Sequence, residues 1–340
     1  MSEEQEPRSI QVLVTRAVPE HTLDPLAEAG LELRQWNQED PMPRSAFLAE
    51  VQHVHGLISM ISERVDQEVL DAAPLLKVVG NFAVGYDNID VRACTAREVV
   101  VCNTPGVLTE TTADLAWALI LAVARRVGEG IDLVRRGDWK MWSPQFMLGR
   151  DVHHATLGII GLGEIGWQVA RRAFGFDMQV LYTSRRARPD LEAEARGQLR
   201  HVDLDTLLRE SDFVSVHIAL SAETRHLIGP DQLRLMKPTA FLINTARGPV
   251  VDQQALYAAC AAGRIGGAAL DVTDPEPMSA SDPLLQLPNV IVVPHVGSAT
   301  AGTRFRMGHL AAQNVAAVLS GRRPPTPVNP EVLASLLPAL

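Results

Sequence analysis

The sequence predicts an α/β protein built from two doubly wound, parallel-sheet domains with a cleft between them. Three observations predict it. Short β-rich runs alternate with helical stretches along the chain, the order of a mostly parallel sheet covered by helices on both faces. A glycine-rich turn, GLGEIG at 161–166, stands between an apolar run and a helical one, the setting of a Rossmann-like nucleotide fold. The length, 340 residues, suits two domains that each bury a core.

In order, the first series reads IQVLVTR, HTLDPLAEAG, LELRQW, the polar turn DPMPRS with AFLAEV, HGLISM, RVDQEVLDAAP, LKVVGNFA, NIDVRACTARE and VVVCNTP, and closes near Pro105. The stretch 110–127, ETTADLAWALILAVARRV, is a helix with Thr and Asp in its first turns and Arg125 and Arg126 near its end. Apolar on nearly every side, it is expected to be buried on nearly every side, between domains or in a subunit interface. The segment 135–154, RRGDWKMWSPQFMLGRDVHH, has aromatics but no helical or strand period. A loop over 130–150 that grips a second copy of the chain is the reading; a loop folded over its own domain is the alternative.

A second series follows: ATLGIIGLGEIGWQVARRAFGF, MQVLYTSR, LDTLLRES, DFVSVHIAL, GPDQLRLMKP, TAFLINTARG, DQQALYAACAAGRI, GGAALDV and NVIVVPH. Six or more strands separated by helices make a doubly wound sheet. The last helix, TAGTRFRMGHLAAQNVAAVLSG, and the proline-rich RRPPTPVNP are expected to return to the first domain. The assignment is therefore 1–105 plus 296–340 for a flavodoxin-like substrate domain and 106–295 for the dinucleotide domain.

Composition narrows the function. A net charge of −9 argues against nucleic acid or an anionic membrane, both of which need a basic face. Three cysteines, Cys94, Cys102 and Cys260, lack C-x-x-C spacing, so neither a disulfide framework nor a zinc site is indicated, and a reduced cytoplasm fits. MSEEQEPRS is acidic where a signal peptide would be basic and then apolar, and reads as a short disordered tail. His53 with His55, and His153 with His154, lack a third ligand nearby and are read as structural. No metal is expected.

The turn spaces Gly161, Gly163 and Gly166 as G-x-G-x-x-G. Gly161 permits the tight turn, Gly163 the approach of a pyrophosphate to the backbone, and Gly166 close helix–strand packing. Amides around Glu164 and Ile165 would hold the phosphate charge. About twenty residues on, an NAD site ends its second strand in Asp or Glu; here the strand ends in Ser184, Arg185 and Arg186. Cationic forks and a hydroxyl suit a 2′-phosphate, so NADP(H) is preferred over NAD(H). Plain solvated charge is the other reading of the two arginines.

Three later strand-like runs end in Arg247, Glu276 and His295. In an open α/β sheet ligands bind outside the carboxyl ends of the strands, so these endings converge on one crevice. Reducing a 2-keto acid needs a hydride at the carbonyl carbon and a proton at the oxygen. His295 is the general acid, Glu276 its orienting partner that stabilises imidazolium, and Arg247 the bidentate binder of the substrate carboxylate. Singly, each has a bland reading: a surface arginine, a turn acid, a satisfied histidine. Asp271 is a candidate anchor for the nicotinamide carboxamide, and Thr245 and His217 are placed beside the cofactor, His217 as crevice wall rather than catalyst.

GLGEIG, NTARGPVVD, ALDVTDPEP and PHVGSAT, in that order and spacing, together with NFAVGYDNID and NTPGVLTETTADLAWALILA, resemble the D-isomer-specific 2-hydroxyacid dehydrogenases over nearly the whole chain. The resemblance implies a homodimer of two-domain subunits whose cleft closes on substrate and cofactor. It also implies backbone amides of Val84 and Gly85 for the substrate carboxylate, Met60 beside them, and Thr112 on the cofactor. Within the family, AVGYDNID, WKMWSP and the SRR strand end look most similar to glyoxylate/hydroxypyruvate reductases, whose loop tryptophan reaches the partner's site, so Trp142 is a substrate-pocket candidate.

Departures from the pattern weigh against neighbouring activities. Formate dehydrogenases carry an amide where Glu276 stands, and phosphite dehydrogenases a lysine where Val84 stands. No regulatory domain is expected beyond residue 340, which weakens a phosphoglycerate dehydrogenase reading without excluding it. Two alternatives stay open: a dehydrogenase of D-lactate or a bulkier 2-hydroxy acid, and a dinucleotide-sensing protein like the C-terminal-binding corepressors, which share the fold.

Overall fold

The structure, a computed structural model, describes residues 10–38 and 40–336; the expected N-terminal tail lies outside them. The chain forms two compact units. One runs to Leu108 and resumes at Ala299, and the other is Thr109–Ser298, so the divisions fall three residues beyond the expected 105/106 and 295/296.

The first unit holds a five-stranded parallel sheet, ordered β2-β1-β3-β4-β5. Its strands are β1 Gln11–Val14, β2 Glu32–Gln35, β3 Gly56–Ser59, β4 Val78–Asn81 and β5 Val100–Cys102. β1, β3 and β4 are buried on both faces, whereas β2, ELRQ, is charged and mostly exposed, as suits an edge. The helix Ala301–Leu319 lies directly on the sheet. A Cβ built at Gly56 would stand 2.8 Å from Val315 Cγ1, and one at Gly80 would stand 3.1 Å from the Ala311 carbonyl. The helix thus lies close enough that a methyl at either position would press on Val315 or on the Ala311 carbonyl. The proline-rich tail covers the other edge: Asn329 accepts the Val101 amide (2.7 Å) and donates to the Val99 carbonyl (3.0 Å), while Val328 N–H donates to the Val101 carbonyl (2.7 Å).

The second unit holds a seven-stranded parallel sheet, ordered β12-β11-β10-β9-β6-β7-β8. Its strands are β6 Thr156–Ile160, β7 Gln179–Thr183, β8 Leu199–His201, β9 Phe213–Val216, β10 Phe241–Asn244, β11 Gly267–Leu270 and β12 Val290–Val292. β8, too short and polar to show a period, is absent from the sequence reading. Strand order reverses between β6 and β9, and at such a switch point a ligand finds room between diverging connections.

The long apolar helix departs from expectation in where it ends. It spans Thr109–Ala124 and stops at Arg126, whose φ of 54° breaks the helix, after which Val127–Arg135 forms a second helix. Residues 130–135, expected in the loop, belong to that second helix. Within the single chain the long helix is buried on one side. Ala113, Ala116, Trp117, Ile120 and Val123 enter the core of its own unit, and Trp117 stacks on Phe176 at 4.7 Å. Glu110, Asp114, Ala118, Leu121 and Arg125 form an exposed stripe at helical spacing. Among the described residues no helix is long and apolar enough to cross a membrane.

Candidate active site

β6 delivers the chain into the glycine turn, and the turn into the helix Glu164–Ala173. Gly161 has φ +97°, and a Cβ there would stand 2.6 Å from the His217 carbonyl; a Cβ at Gly166 would stand 2.1 Å from the Gly161 carbonyl. A Cβ at Gly163 would meet nothing within 4 Å. Two glycines are therefore required by the protein's own packing, and the third fronts open space. No side chain caps the helix, whose first amides lack partners within the helix. Those amides, those of Glu164 and Ile165 among them, make an anion cradle. The Glu164 carboxylate itself turns to Thr109, accepting its hydroxyl at 3.1 Å. Thr245 Oγ1, just past β10, is buried without a hydrogen-bond partner. An open glycine, uncapped amides and an orphaned hydroxyl along one sheet edge fit a dinucleotide.

At the end of β7, Ser184 donates to the Arg186 carbonyl (2.6 Å). Arg185 and Arg186 are exposed, and neither guanidinium meets a hydrogen-bond or ion-pair partner among the described residues. At the end of β9, Ser215 Oγ lies 2.8 Å from His217 Nε2. His217 is half-buried, and desolvation pushes its pKa down to about 3. It is neutral at physiological pH, as a wall beside a phosphate-bearing cofactor can be, and it brings no catalytic proton.

Arg247, Glu276 and His295 leave three adjacent strands, β10, β11 and β12, at the same end. The register pairs Asn244 with Leu270, and Leu270 with Val292. Asn244, unread in the sequence, shapes the arginine's turn: Nδ2 donates to the Arg247 carbonyl (2.9 Å) and Oδ1 accepts the Ala246 amide (3.0 Å). Gly248 follows where a Cβ would stand 1.9 Å from the Thr273 carbonyl, so the Arg247 turn packs against the chain leading to Glu276. Glu276 Oε1 makes a short contact with His295 Nδ1, and Nε2 has no hydrogen-bond partner among the described residues.

Asp271 does more than its predicted place beside the nicotinamide required. Its oxygens accept the amides of Val296 (2.6 Å) and Gly297 (2.8 Å), and its carbonyl accepts that of His295 (2.9 Å). Burial pushes the carboxyl pKa up, against those amide bonds and the nearby His295. Thr112 sits beside this segment: a Cβ at Gly297 would stand 3.4 Å from its Cγ2.

In the first unit, Met60, Val84 and Gly85 are half-buried and held by their carbonyls. Asn88 donates to Met60 (3.1 Å), Asn103 to Val84 (2.8 Å) and Asn81 to Gly85 (2.7 Å). The Val84 and Gly85 amides meet no acceptor among the described residues, which leaves two donors side by side. The buried Glu63 accepts the Met60 amide (2.7 Å), the Thr15 hydroxyl (2.6 Å) and Arg16 (3.2 Å). None of these supports shows in the sequence, where a polar residue after a strand carries no label of its partner. Trp142 is 76% exposed in the single chain. Among the described residues no group of three or more His, Cys, Asp or Glu is placed to hold a metal.

Comparison with known proteins bears on this arrangement. The family described as D-isomer specific 2-hydroxyacid dehydrogenase, NAD binding domain, matches residues 117–297. The chain is 50% identical over 324 residues to a glyoxylate reductase of Korarchaeum cryptofilum, covering 95% of this chain and 97% of that one. Among solved structures, a protein from Thermus thermophilus superposes with a TM-score of 0.88 at 46% identity, covering 94% of this chain and all of that one. An NADPH-dependent glyoxylate/hydroxypyruvate reductase from Sinorhizobium meliloti, in complex with NADP and malonate, gives 0.80 at 33% identity, covering 94% and 96%.

Proposed function

The chain belongs to the D-isomer-specific 2-hydroxyacid dehydrogenases, and on that premise we propose that it reduces glyoxylate and hydroxypyruvate to their 2-hydroxy acids, with NADPH preferred over NADH. The observation that carries this reading is the Glu276–His295 contact on one sheet edge with Arg247. A general acid and a carboxylate clamp at the carboxyl ends of a dinucleotide-type sheet are the parts that keto-acid reduction needs.

A bound reduced nicotinamide supplies the hydride. Arg247 takes the substrate carboxylate through its planar fork and draws electron density from the adjacent carbonyl. In the first unit, the side-by-side Val84 and Gly85 amides, with Met60 half-buried at that sheet edge, are donors of the kind a carboxylate takes. As the carbonyl π pair moves onto oxygen, His295 Nε2 delivers its proton there, and the ring finishes neutral. Glu276 orients the ring through its contact with Nδ1. Gly161, Gly163, Glu164, Ile165 and Gly166 hold the pyrophosphate; Ser184, Arg185 and Arg186 hold the 2′-phosphate; Thr112, Thr245, His217 and Asp271 line the remainder of the cofactor site.

A homodimer is part of the proposal. Val127, Ile131 and Val134 form an exposed apolar stripe on one helix, followed by Trp139, Met141, Trp142 and Leu148, all exposed, and a monomer seldom leaves so much contiguous apolar surface wet. Trp142 is assigned to the partner's substrate pocket. A substrate panel with both cofactors tests the whole reading. Rapid NADPH oxidation with glyoxylate or hydroxypyruvate and slow oxidation with pyruvate is expected; equal rates with bulky keto acids would overturn the substrate assignment.

A further inference from the structure

Tyr182 is completely buried near the end of β7, yet its hydroxyl makes two good hydrogen bonds. It accepts the Arg188 backbone amide at 2.7 Å and donates to Glu192 Oε1 at 2.7 Å. A phenylalanine would fill the same core, so the hydroxyl is there for its partners. Those partners lie at the far end of the Ser184–Arg188 loop and on the helix Pro189–Glu194 that follows. Arg188, the residue that opens the helix, makes no side-chain cap, and its own backbone amide is taken up by the Tyr182 hydroxyl.

The near end of the loop is tied as well. Ser184 donates to the Arg186 carbonyl at 2.6 Å, and His201, whose ring lies 4.9 Å from that of Tyr182, brings Nε2 to 3.4 Å from the Ser184 carbonyl. Arg188 is occupied with Asp190 at 2.8 Å. What remains between the ties is the pair Arg185 and Arg186, exposed and unpartnered among the described residues. Burial and the adjacent Glu192 carboxylate raise the phenol above its ordinary pKa, against the Arg188 amide, so the hydroxyl keeps its proton.

We propose that Tyr182, acting with Glu192, is a positioning residue for cofactor choice: its hydroxyl fixes the loop so that Arg185 and Arg186 meet a phosphate monoester on the adenosine ribose. This rests on the NADPH reading above. Tyr182 touches no cofactor atom. It lowers the ordering cost that two arginines on an untied loop would incur at binding.

The test measures kcat/KM for NADPH and NADH in the full-length enzyme and in Y182F, E192A, the double variant Y182F/E192A, and R185A/R186A. Wild type favouring NADPH, R185A/R186A losing that preference, and Y182F losing about tenfold of it are expected. E192A shifts the ratio in the same direction, and the double variant is no worse than Y182F, because both act through one contact. If Y182F fails to fold, E192A carries the test, since Glu192 is only half-buried. An equal loss with both cofactors marks a purely structural role and overturns the inference, as does an unchanged ratio in Y182F, or in E192A where Y182F does not fold, while R185A/R186A still abolishes the preference. A wild type indifferent to the 2′-phosphate, or R185A/R186A leaving the preference intact, removes the NADPH reading and the inference with it.

Discussion

Asp271 holds His295 in place: one residue's carbonyl and carboxylate take three consecutive amides, those of His295, Val296 and Gly297. His295 stands at φ 51°, a left-handed conformation that costs a residue with a Cβ about 1 kcal/mol. Three hydrogen bonds to a buried acceptor offset that cost and aim the ring at Glu276. His295 is thus fixed from its backbone side by Asp271 and from its ring side by Glu276.

Replacing His295 with Asn removes the donor and spares the glycine turn. Turnover of glyoxylate falls by about 10²- to 10⁴-fold, while NADPH affinity, read by fluorescence titration, changes by less than about threefold. Loss of affinity in step with turnover would mean that His295 serves the cofactor rather than the chemistry.

Arg247→Lys keeps the positive charge and loses the fork. The KM for glyoxylate rises by about tenfold or more, because a point charge cannot pair with both carboxylate oxygens in plane. A wild-type KM in steady-state assays would take the carboxylate away from Arg247.

The glycine turn separates packing from binding. Gly163→Ala adds a methyl to open space, so the melting temperature of the apoprotein stays as in wild type while cofactor affinity drops by about tenfold. Gly166→Ala drives a methyl onto the Gly161 carbonyl and costs about 3 kcal/mol or more of stability. Calorimetry on the two apoproteins distinguishes them; equal melting temperatures would contradict the packing described.

His217 makes stability depend on pH. Its folded pKa lies at about 3, below the ordinary 6.5, so the unfolded chain binds the extra proton and the folded state loses ground as pH falls from about 6.5 toward 3. At pH 5 that difference amounts to about 2 kcal/mol. His217→Gln keeps a side-chain amide for Ser215 and removes the titration. Its melting temperature should fall less than wild type between pH 7 and pH 5; parallel curves would show that the ring is already charged in the folded state.

Ile131→Glu places a charge in the exposed stripe of Val127, Ile131 and Val134. Light scattering should show a dimer in wild type and a monomer in the variant. A dimer that survives the substitution would move the interface elsewhere.

Much of this molecule is legible before any coordinates. The run TLGII, the glycine spacing behind it and the helical WQVARRAF name a dinucleotide turn, because each element is set by dihedral preferences and side-chain periodicity within a few residues. NTARG, DPEP and PHVG likewise show where strands stop and polar side chains begin. The long helix was harder. Its composition conceals the stripe of Glu110, Asp114, Ala118, Leu121 and Arg125 because alanine and leucine occur on both its buried and its exposed sides, and the break falls on Arg126 itself while the neighbouring Gly128 and Gly130 lie inside the next helix.

The sequence alone determined the α/β class, the glycine turn and the strand ends after which Arg247, Glu276 and His295 stand, all of which follow from local pattern. Only the tertiary structure decided which groups meet: Asn244 with the Arg247 turn, Asp271 with the amides after Pro294, the Tyr182 hydroxyl with Arg188, Asn329 with the edge of β5. A hydrogen-bonding group carries no record of its partner in its own chemistry. Strand order and register assign that partner through space, and in a parallel sheet neighbouring strands come from distant parts of the chain.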